Sequence, residues 1–259
     1  MSYKIVFFDI DGTLLDEEKR VPPDAAEAVR RLKASGVEPV IATGRAPYFI
    51  KPVAEELGIE SWVSLNGGYV VYQGKELHHL TIDKSELEKL VELAGRNGHA
   101  LVFEGKEWYY ADREGDPFAF EAVESLKVEH PGVDADFWKK ESVYQVFLHC
   151  ESHEEQAYLD ALPALRFIRW HSKAMDVLPK NGSKAAGIAA LLDVLGLKPE
   201  EAVAFGDGLN DKEMLEFAGL GIAMGNSHPD LLPFADHVTT RVEEGGVHNG
   251  LVFAGLLKD

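Results

Sequence analysis

Phe8-Asp9-Ile10-Asp11-Gly12-Thr13-Leu14 is the stretch on which the fold turns. Ahead of it, Tyr3 to Phe8 is mostly apolar and β-prone, which suits a strand buried on both faces. That strand ends on two aspartates one residue apart. Positions i and i+2 of an extended segment point to the same side, so Asp9 and Asp11 can converge at the strand's carboxyl end. Gly12 lets the chain turn sharply there. Like charges at this spacing repel, and a buried pair shifts its pKa values or recruits a cation. Alone, the stretch fits a solvated Asp-Gly turn as well as a charged site.

Downstream, strands and helices alternate. Pro22 and Pro23 open a helix through Leu32 that Gly36 ends. Val37 to Ala42 reads as a second strand, ending on Thr43-Gly44-Arg45. A helix over Pro47 to Leu57 follows, then a strand over Trp62 to Leu65 that stops at Asn66-Gly67-Gly68. This alternation predicts a parallel sheet. Tyr69 to Leu77 reads as a hairpin.

From about Ile82 the texture changes to α+β. A helix carries Leu87, Leu90, Val91 and Ala94 on one face, and strands are expected over Leu101–Glu104 and Glu107–Tyr110. An acidic segment through Glu129 leads to a loop at Pro131-Gly132. Tyr144–His149 reads as a strand, Ser152–Leu162 as a helix, and Leu165–Trp170 and Ala174–Leu178 as strands. The expected organisation is a core of residues 1–81 and 180–259, interrupted by an inserted second domain over 82–179.

The βα rhythm then resumes with a helix over Ser183–Leu195. A short strand, Ala202–Phe205, ends on Gly206-Asp207-Gly208-Leu209-Asn210-Asp211. A helix near Lys212, a strand to Met224 before Gly225-Asn226, a strand at His237-Val238 and a helix from about Gly250 complete the chain. The carboxyl ends of the core strands therefore offer Asp9 and Asp11, then Thr43, then Asp207 with Asn210 and Asp211. Open parallel sheets bind ligands at that edge. Lys184, opening its helix, can reach the same place. Clustered carboxylates need a hard cation, and oxygen-only ligands favour Mg²⁺. Carboxylates, a cation, a hydroxyl and an ammonium together suit phosphoryl transfer.

Composition narrows the alternatives. The 259 residues carry a net charge of −18, which disfavours nucleic-acid binding and repels an anionic substrate at long range. Local cations or metal must overcome that field. The single cysteine, Cys150, permits neither a disulfide framework nor a multi-cysteine zinc site. His149 and His153 span a strand end and a helix start, a poor arrangement for a zinc pair. Trp108, Tyr109 and Tyr110 read as packing on a sheet, and Asn181-Gly182-Ser183 is a sequon with no meaning in a cytoplasmic chain. No signal peptide or run of membrane-spanning length is visible, so the expectation is a cytoplasmic protein with no membrane partner.

The set Asp9-Ile10-Asp11-Gly12-Thr13, Thr43-Gly44-Arg45, Lys184 and Gly206-Asp207-Gly208-Leu209-Asn210-Asp211 resembles the four ordered motifs of the haloacid dehalogenase superfamily of phosphohydrolases. Asn66-Gly67-Gly68, Met224-Gly225-Asn226 and the inserted block are similar to its Cof-like branch, which bears a C2-type cap. The resemblance implies an α/β, Rossmann-like core with a central parallel sheet plus an inserted α+β cap that closes over the site and selects the leaving group. It implies Asp9 as nucleophile, Asp11 as general acid and base, and Thr43 and Lys184 as holders of the phosphoryl oxygens. Mg²⁺ would be held by the Asp9 carboxylate, the Asp11 backbone carbonyl and Asp207, with Asp211 and Asn210 behind. Gly44, Arg45, Asn66 and Asn226 are further candidates for substrate or phosphate contact. The implied substrate is a small phosphorylated metabolite, a sugar phosphate or pyridoxal phosphate. A phosphomutase and a non-enzymatic phospho-acceptor switch are the alternatives.

Overall fold

Ile5-Val6-Phe7-Phe8 forms β1 (Ile5–Phe8), and all four side chains have 0% exposure in the computed structural model, which describes residues 2–258. Val6 and Phe8 pack into one apolar layer, Ile5 and Phe7 into another on the opposite face of the sheet. That two-sided burial is why the strand reads as an unbroken apolar run rather than an alternation. Each such side chain stabilises the fold by roughly 1.5–3 kcal/mol.

The chain continues through α1 (Pro23–Ala34), β2 (Glu38–Ala42), α2 (Pro47–Leu57), β3 (Trp62–Ser64), β4 (Tyr69–Tyr72) and β5 (Lys75–His79). Next come α3 (Lys84–Asn97), β6 (Ala100–Glu104), β7 (Tyr109–Ala111), α4 (Pro117–Ser125), β8 (Gly132–Val133) and α5 (Phe137–Lys140). They are followed by β9 (Gln145–His149), α6 (Gln156–Ala161), β10 (Leu165–His171) and β11 (Ala174–Pro179). Last are α7 (Lys184–Leu195), β12 (Ala202–Gly206), α8 (Lys212–Phe217), β13 (Leu220–Ala223), β14 (His237–Val238) and α9 (Gly246–Phe253). The chain forms two compact units, one of Met1–Arg45, Ile50–His78 and Ser183–Asp259, the other of Ala46–Phe49 and His79–Gly182. No helix of the described residues is long and apolar enough to cross a membrane.

In the first unit the strands lie in the order β14-β13-β12-β1-β2-β3-β4-β5. Pairing is parallel from β14 to β3 and turns antiparallel at β3–β4. The order reverses at β1, flanked by β2 and β12, so the crevice of this α/β sheet opens at the carboxyl ends of those three strands. One face is covered by α1, α2 and α9 through Val29, Leu32, Val53 and Leu251, the other by α7 and α8 through Ile188, Leu191, Met214 and Leu215.

The second unit is an α+β layer with strand order β10-β11-β9-β6-β7-β8. Leu101, Phe103, Val146 and Leu148 point to one face, where they meet Leu87, Leu90 and Ala94 of α3. Val102 and Phe147 point to the other, packing with Tyr109 and Ala111. The acidic segment before Glu129, which carries no helical signal strong enough to predict one, holds α4. Asp116 caps it by accepting from the Phe118 and Ala119 amides, with Pro117 at the first helical position. The helix expected over Ser152–Leu162 is broken into a 3₁₀ turn at Ser152–Glu154 and the short α6, because Glu154 reaches back to the Glu151 amide and closes the first turn alone. β7 begins at Tyr109 rather than Glu107, since Gly105 N–H donates to the Trp108 carbonyl and keeps Glu107 in the turn.

Candidate active site

Beyond β1 the backbone folds tightly on itself: the Leu14 and Leu15 amides both donate to the Ile10 carbonyl, at 3.0 and 2.8 Å. Gly12 takes φ +76°, and a Cβ there would sit 2.2 Å from Asp207 Oδ2. Backbone geometry and space both require glycine at that position. Asn226 Nδ2 donates to the Gly12 carbonyl at 2.8 Å, while its Oδ1 accepts from the Val242 amide at 2.9 Å. Asn226, expected from sequence to contact substrate, thus has its side chain engaged in bracing the turn.

Lys184 lies at the start of α7, where Ser183 Oγ caps the helix by accepting from the Ala186 amide. Ser183 therefore serves as a helix cap, the structural use of the sequon residue. Lys184 Nζ donates to Asp9 Oδ1 and to Asp211 Oδ1, each at 2.6 Å, and all three side chains are buried. Asp211 Oδ2 accepts from the Asp207 and Gly208 amides at 2.9 Å. Asp207 lies 3.3 Å from Thr13 Oγ1, which donates to its Oδ1.

Oxygens of Asp9, Asp207 and Asp211 all lie within 4.8 Å of one another. Burial raises the Asp9 carboxyl to about 7 against the pull of Lys184, with Asp211 and Asp11 pushing it further up. Asp207 rises to about 8, chiefly through burial and then through Asp9 and Asp211. Burial works against the Lys184 ammonium, but Asp211 and Asp9 outweigh it and its pKa rises. One ammonium among three acids leaves uncompensated negative charge, and the donors are all oxygen. That set fits a hard divalent cation. Both oxygens of Asp211 already accept hydrogen bonds, one from Lys184 and the other from the Asp207 and Gly208 amides.

Asp11 has different partners. Arg45 grips it through two bonds, Nε to Oδ2 at 2.7 Å and Nη2 to Oδ1 at 2.6 Å, and Lys19 Nζ lies 2.5 Å from Oδ1. Burial tends to raise the Asp11 carboxyl, yet Arg45 and Lys19 outweigh it and hold the pKa below the usual range. The two aspartates share a strand end but no hydrogen-bond partner. Lys19 was not a candidate from sequence. It sits in a turn organised by Asp16, whose Oδ1 accepts from the Glu18 and Arg20 amides, and it adopts φ +61°. Nothing in a charged Glu-Glu-Lys-Arg run marks which cation turns inward.

Thr43, buried at the end of β2, accepts from the Arg45 amide through Oγ1 at 3.1 Å. Its carbonyl accepts from the Asn66 amide at 3.1 Å. Leu65, Asn66 and Gly67 all have positive φ (51°, 50° and 91°), and a Cβ on Gly67 would sit 2.0 Å from the Ser183 carbonyl. This strained corner packs against the N-terminus of α7 and holds Asn66 Oδ1 where Asn210 Nδ2 donates to it at 3.1 Å. Gly44 lies against the Asn66 side chain, the nearest atom 3.1 Å from where a Cβ would be. A carboxylate anchored by Lys184, a cluster of three acids and a second carboxylate held by Arg45 and Lys19 thus share the ligand edge of one sheet.

The profile of the haloacid dehalogenase-like hydrolase family matches residues 6–251. A Bacillus subtilis (strain 168) protein named "Putative phosphatase YkrA" is 38% identical over 258 residues, 100% of each chain. A hypothetical protein from Geobacillus kaustophilus HTA426 has a crystal structure that superposes with a TM-score of 0.92 at 46% identity, covering 99% of this chain and 100% of that one. The sugar phosphatase BT4131, described as a member of subclass IIB of the superfamily, superposes with a TM-score of 0.89 at 28% identity, covering 98% and 100%.

Proposed function

This chain belongs to the haloacid dehalogenase-like hydrolase family, and from that premise we propose that it is a Mg²⁺-dependent phosphatase of small phosphorylated metabolites, with Asp9 as nucleophile. The observation that carries this reading is the anchoring of Asp9 Oδ1 by Lys184 beside Asp207, in a cluster of acids that suits a hard cation. The Asp9 carboxylate attacks phosphorus in line, forming an aspartyl-phosphate as the bond to the leaving alkoxide breaks. Asp11 delivers a proton to that alkoxide, then removes one from the water that attacks the phosphorus. The Asp9–phosphorus bond breaks in turn, releasing inorganic phosphate and restoring the carboxylate. Asp9, Asp207 and the Asp11 carbonyl are the groups to hold Mg²⁺, which when bound offsets the charge of the transferring phosphoryl group.

Asp11 must carry a proton at the first step, whereas Arg45 and Lys19 hold it as a carboxylate. A phosphoryl group is a competing anionic partner for both cations, and its arrival frees Asp11 to take up its proton. Thr43 and Lys184 supply a hydroxyl and an ammonium to the phosphoryl oxygens. The similarity to BT4131, a sugar phosphatase, makes sugar phosphates the first substrates to test. On this reading the unit of residues 79–182 selects the leaving group.

The test is release of inorganic phosphate from a panel of phosphorylated metabolites with Mg²⁺, comparing wild type with Asp9→Asn. Turnover by wild type and none by the variant is expected, because an amide is a poor nucleophile. Equal turnover in both would sink the mechanism.

A further inference from the structure

Lys19 stands on strained backbone. Its φ of +61° lies in the left-handed region, which suits glycine or asparagine and disfavours lysine. The turn around it is tied without the lysine side chain. Asp16 Oδ1 accepts from the Glu18 and Arg20 amides at 2.8 and 2.9 Å. The Asp16 carbonyl accepts from the Lys19 amide and the Arg20 carbonyl from the Asp16 amide, both at 3.0 Å. Glycine at position 19 would keep all four bonds and remove the strain. What glycine would not supply is the ammonium, and backbone strain held in place at a site points to a use for the side chain that bears it.

Asp11 does not require that ammonium. Arg45 already bonds both of its oxygens, Nε to Oδ2 and Nη2 to Oδ1, and Lys19 Nζ adds a second cation on Oδ1 at 2.5 Å. Two cations on one carboxylate leave a positive charge in excess, in a chain whose net charge is −18. The adjacent Arg20 is directed elsewhere, pairing with Glu18 and Asp16 at the surface. Of the two cations on Asp11, Lys19 is the releasable one. It holds a single oxygen from a flexible four-carbon stem and its side chain is 27% exposed, whereas Arg45 grips both oxygens and is 14% exposed. A lysine ammonium can change partners by rotating its stem, with the turn left as it is.

We infer that Lys19 is a substrate-binding residue, which exchanges Asp11 Oδ1 for an anionic oxygen of the phosphoryl group when a phosphate ester enters. That the anion is a phosphoryl group rests on the phosphatase reading. That Lys19 is a releasable cation rests on the turn and on the pairing of Asp11 alone. Lys19 thus joins Thr43 and Lys184 as a holder of the phosphoryl oxygens, from a loop that precedes both in the chain.

Calorimetric titration of inorganic phosphate into the full chain with Mg²⁺ reads this without turnover. Lys19→Met, which keeps the stem and removes the charge, should weaken phosphate binding by about tenfold or more. Lys19→Arg should restore most of it. Lys19→Gly should bind as weakly as Lys19→Met yet melt no lower than wild type, a combination that a purely structural lysine does not produce. With a hexose 6-phosphate, KM should rise by about tenfold in Lys19→Met while kcat changes far less. Equal phosphate affinity in wild type and Lys19→Met, or no phosphate binding by wild type, would overturn the inference. So would a Lys19→Gly protein that melts well below wild type, because the lysine would then be stabilising the turn. A loss confined to substrates with a second anionic group would place Lys19 on the leaving group and overturn it too. If phosphate binding depends on Lys19 but wild type releases phosphate from no ester, the anion contact stands and the phosphatase reading falls.

Discussion

Lys184 Nζ lies 2.6 Å from Asp9 Oδ1, and neither side chain has more than a tenth of its surface in water. The ammonium is shared with Asp211 at the same distance. Removing one member of a buried ionic group leaves the others uncompensated, at a cost of about 3–5 kcal/mol. Lys184→Met should therefore lower unfolding free energy by about 3 kcal/mol in urea titrations, and turnover should fall by two orders of magnitude or more. A variant as stable as wild type would show that the three side chains do not act as one electrostatic unit.

The acids around Lys184 also set a pH dependence. Asp9 and Asp207 have folded pKa values raised to about 7 and about 8 from an ordinary 3.8. A carboxyl raised in the folded state contributes stability that is fully present below its unfolded pKa and is lost as pH rises through the folded value. The metal-free protein should therefore lose stability from about pH 4 to about pH 8, with the loss levelling off above that. Mg²⁺ competes with protons for the same oxygens, so its stabilising shift in Tm should grow across that window. Asp207→Asn should abolish the shift. A Mg²⁺ effect equal at both ends, or one surviving in Asp207→Asn, would place the cation elsewhere.

Asp11 leads to a prediction about leaving groups rather than stability. If it delivers the proton, Asp11→Asn should lower kcat/KM, which reads the steps up to release of the leaving group and not the later attack of water, by about 10²–10⁴-fold for alkyl phosphates. Acetyl phosphate, whose leaving carboxylate needs no proton, should slow far less. A uniform loss on both would make Asp11 a metal or positioning group alone.

Strand order carries much of this site into the sequence, and through-space pairing carries the rest out of it. The apolar run Ile5–Phe8 is visible because both faces are buried, and the strand-end rule brings Asp9, Thr43 and Asp207 to one edge of the sheet. Lys19 is different: its partner, Asp11, is chosen by a turn around Asp16 that hydropathy does not register. Asn226 looks like a polar residue after a strand and turns out to join Gly12 to Val242. α4 starts at an Asp116 cap within an acidic run that reads as loop, so this helix is not among those expected from sequence. Tyr48 belongs with Glu104 although α2 continues into the first unit, a division that no composition shift marks.

Gly12 is the sharpest steric statement at the site. Its φ of +76° and the 2.2 Å approach of Asp207 Oδ2 to any Cβ act in the same direction. Alanine there must move either the turn or the Asp207 carboxylate, and the Gly12 carbonyl is held in place by Asn226. Gly12→Ala is expected to lose about 1–3 kcal/mol through the backbone strain alone. Displacing Asp207 should also weaken the Mg²⁺-dependent rise in Tm, a loss that backbone strain by itself does not produce. Asn226→Ala serves as the comparison: it frees the turn without inserting an atom beside Asp207, so it should lower stability while leaving more of the Mg²⁺ response. If Gly12→Ala were destabilised with its Mg²⁺ response intact, the turn would be a folding element only, and the contact with Asp207 would not shape the cation site.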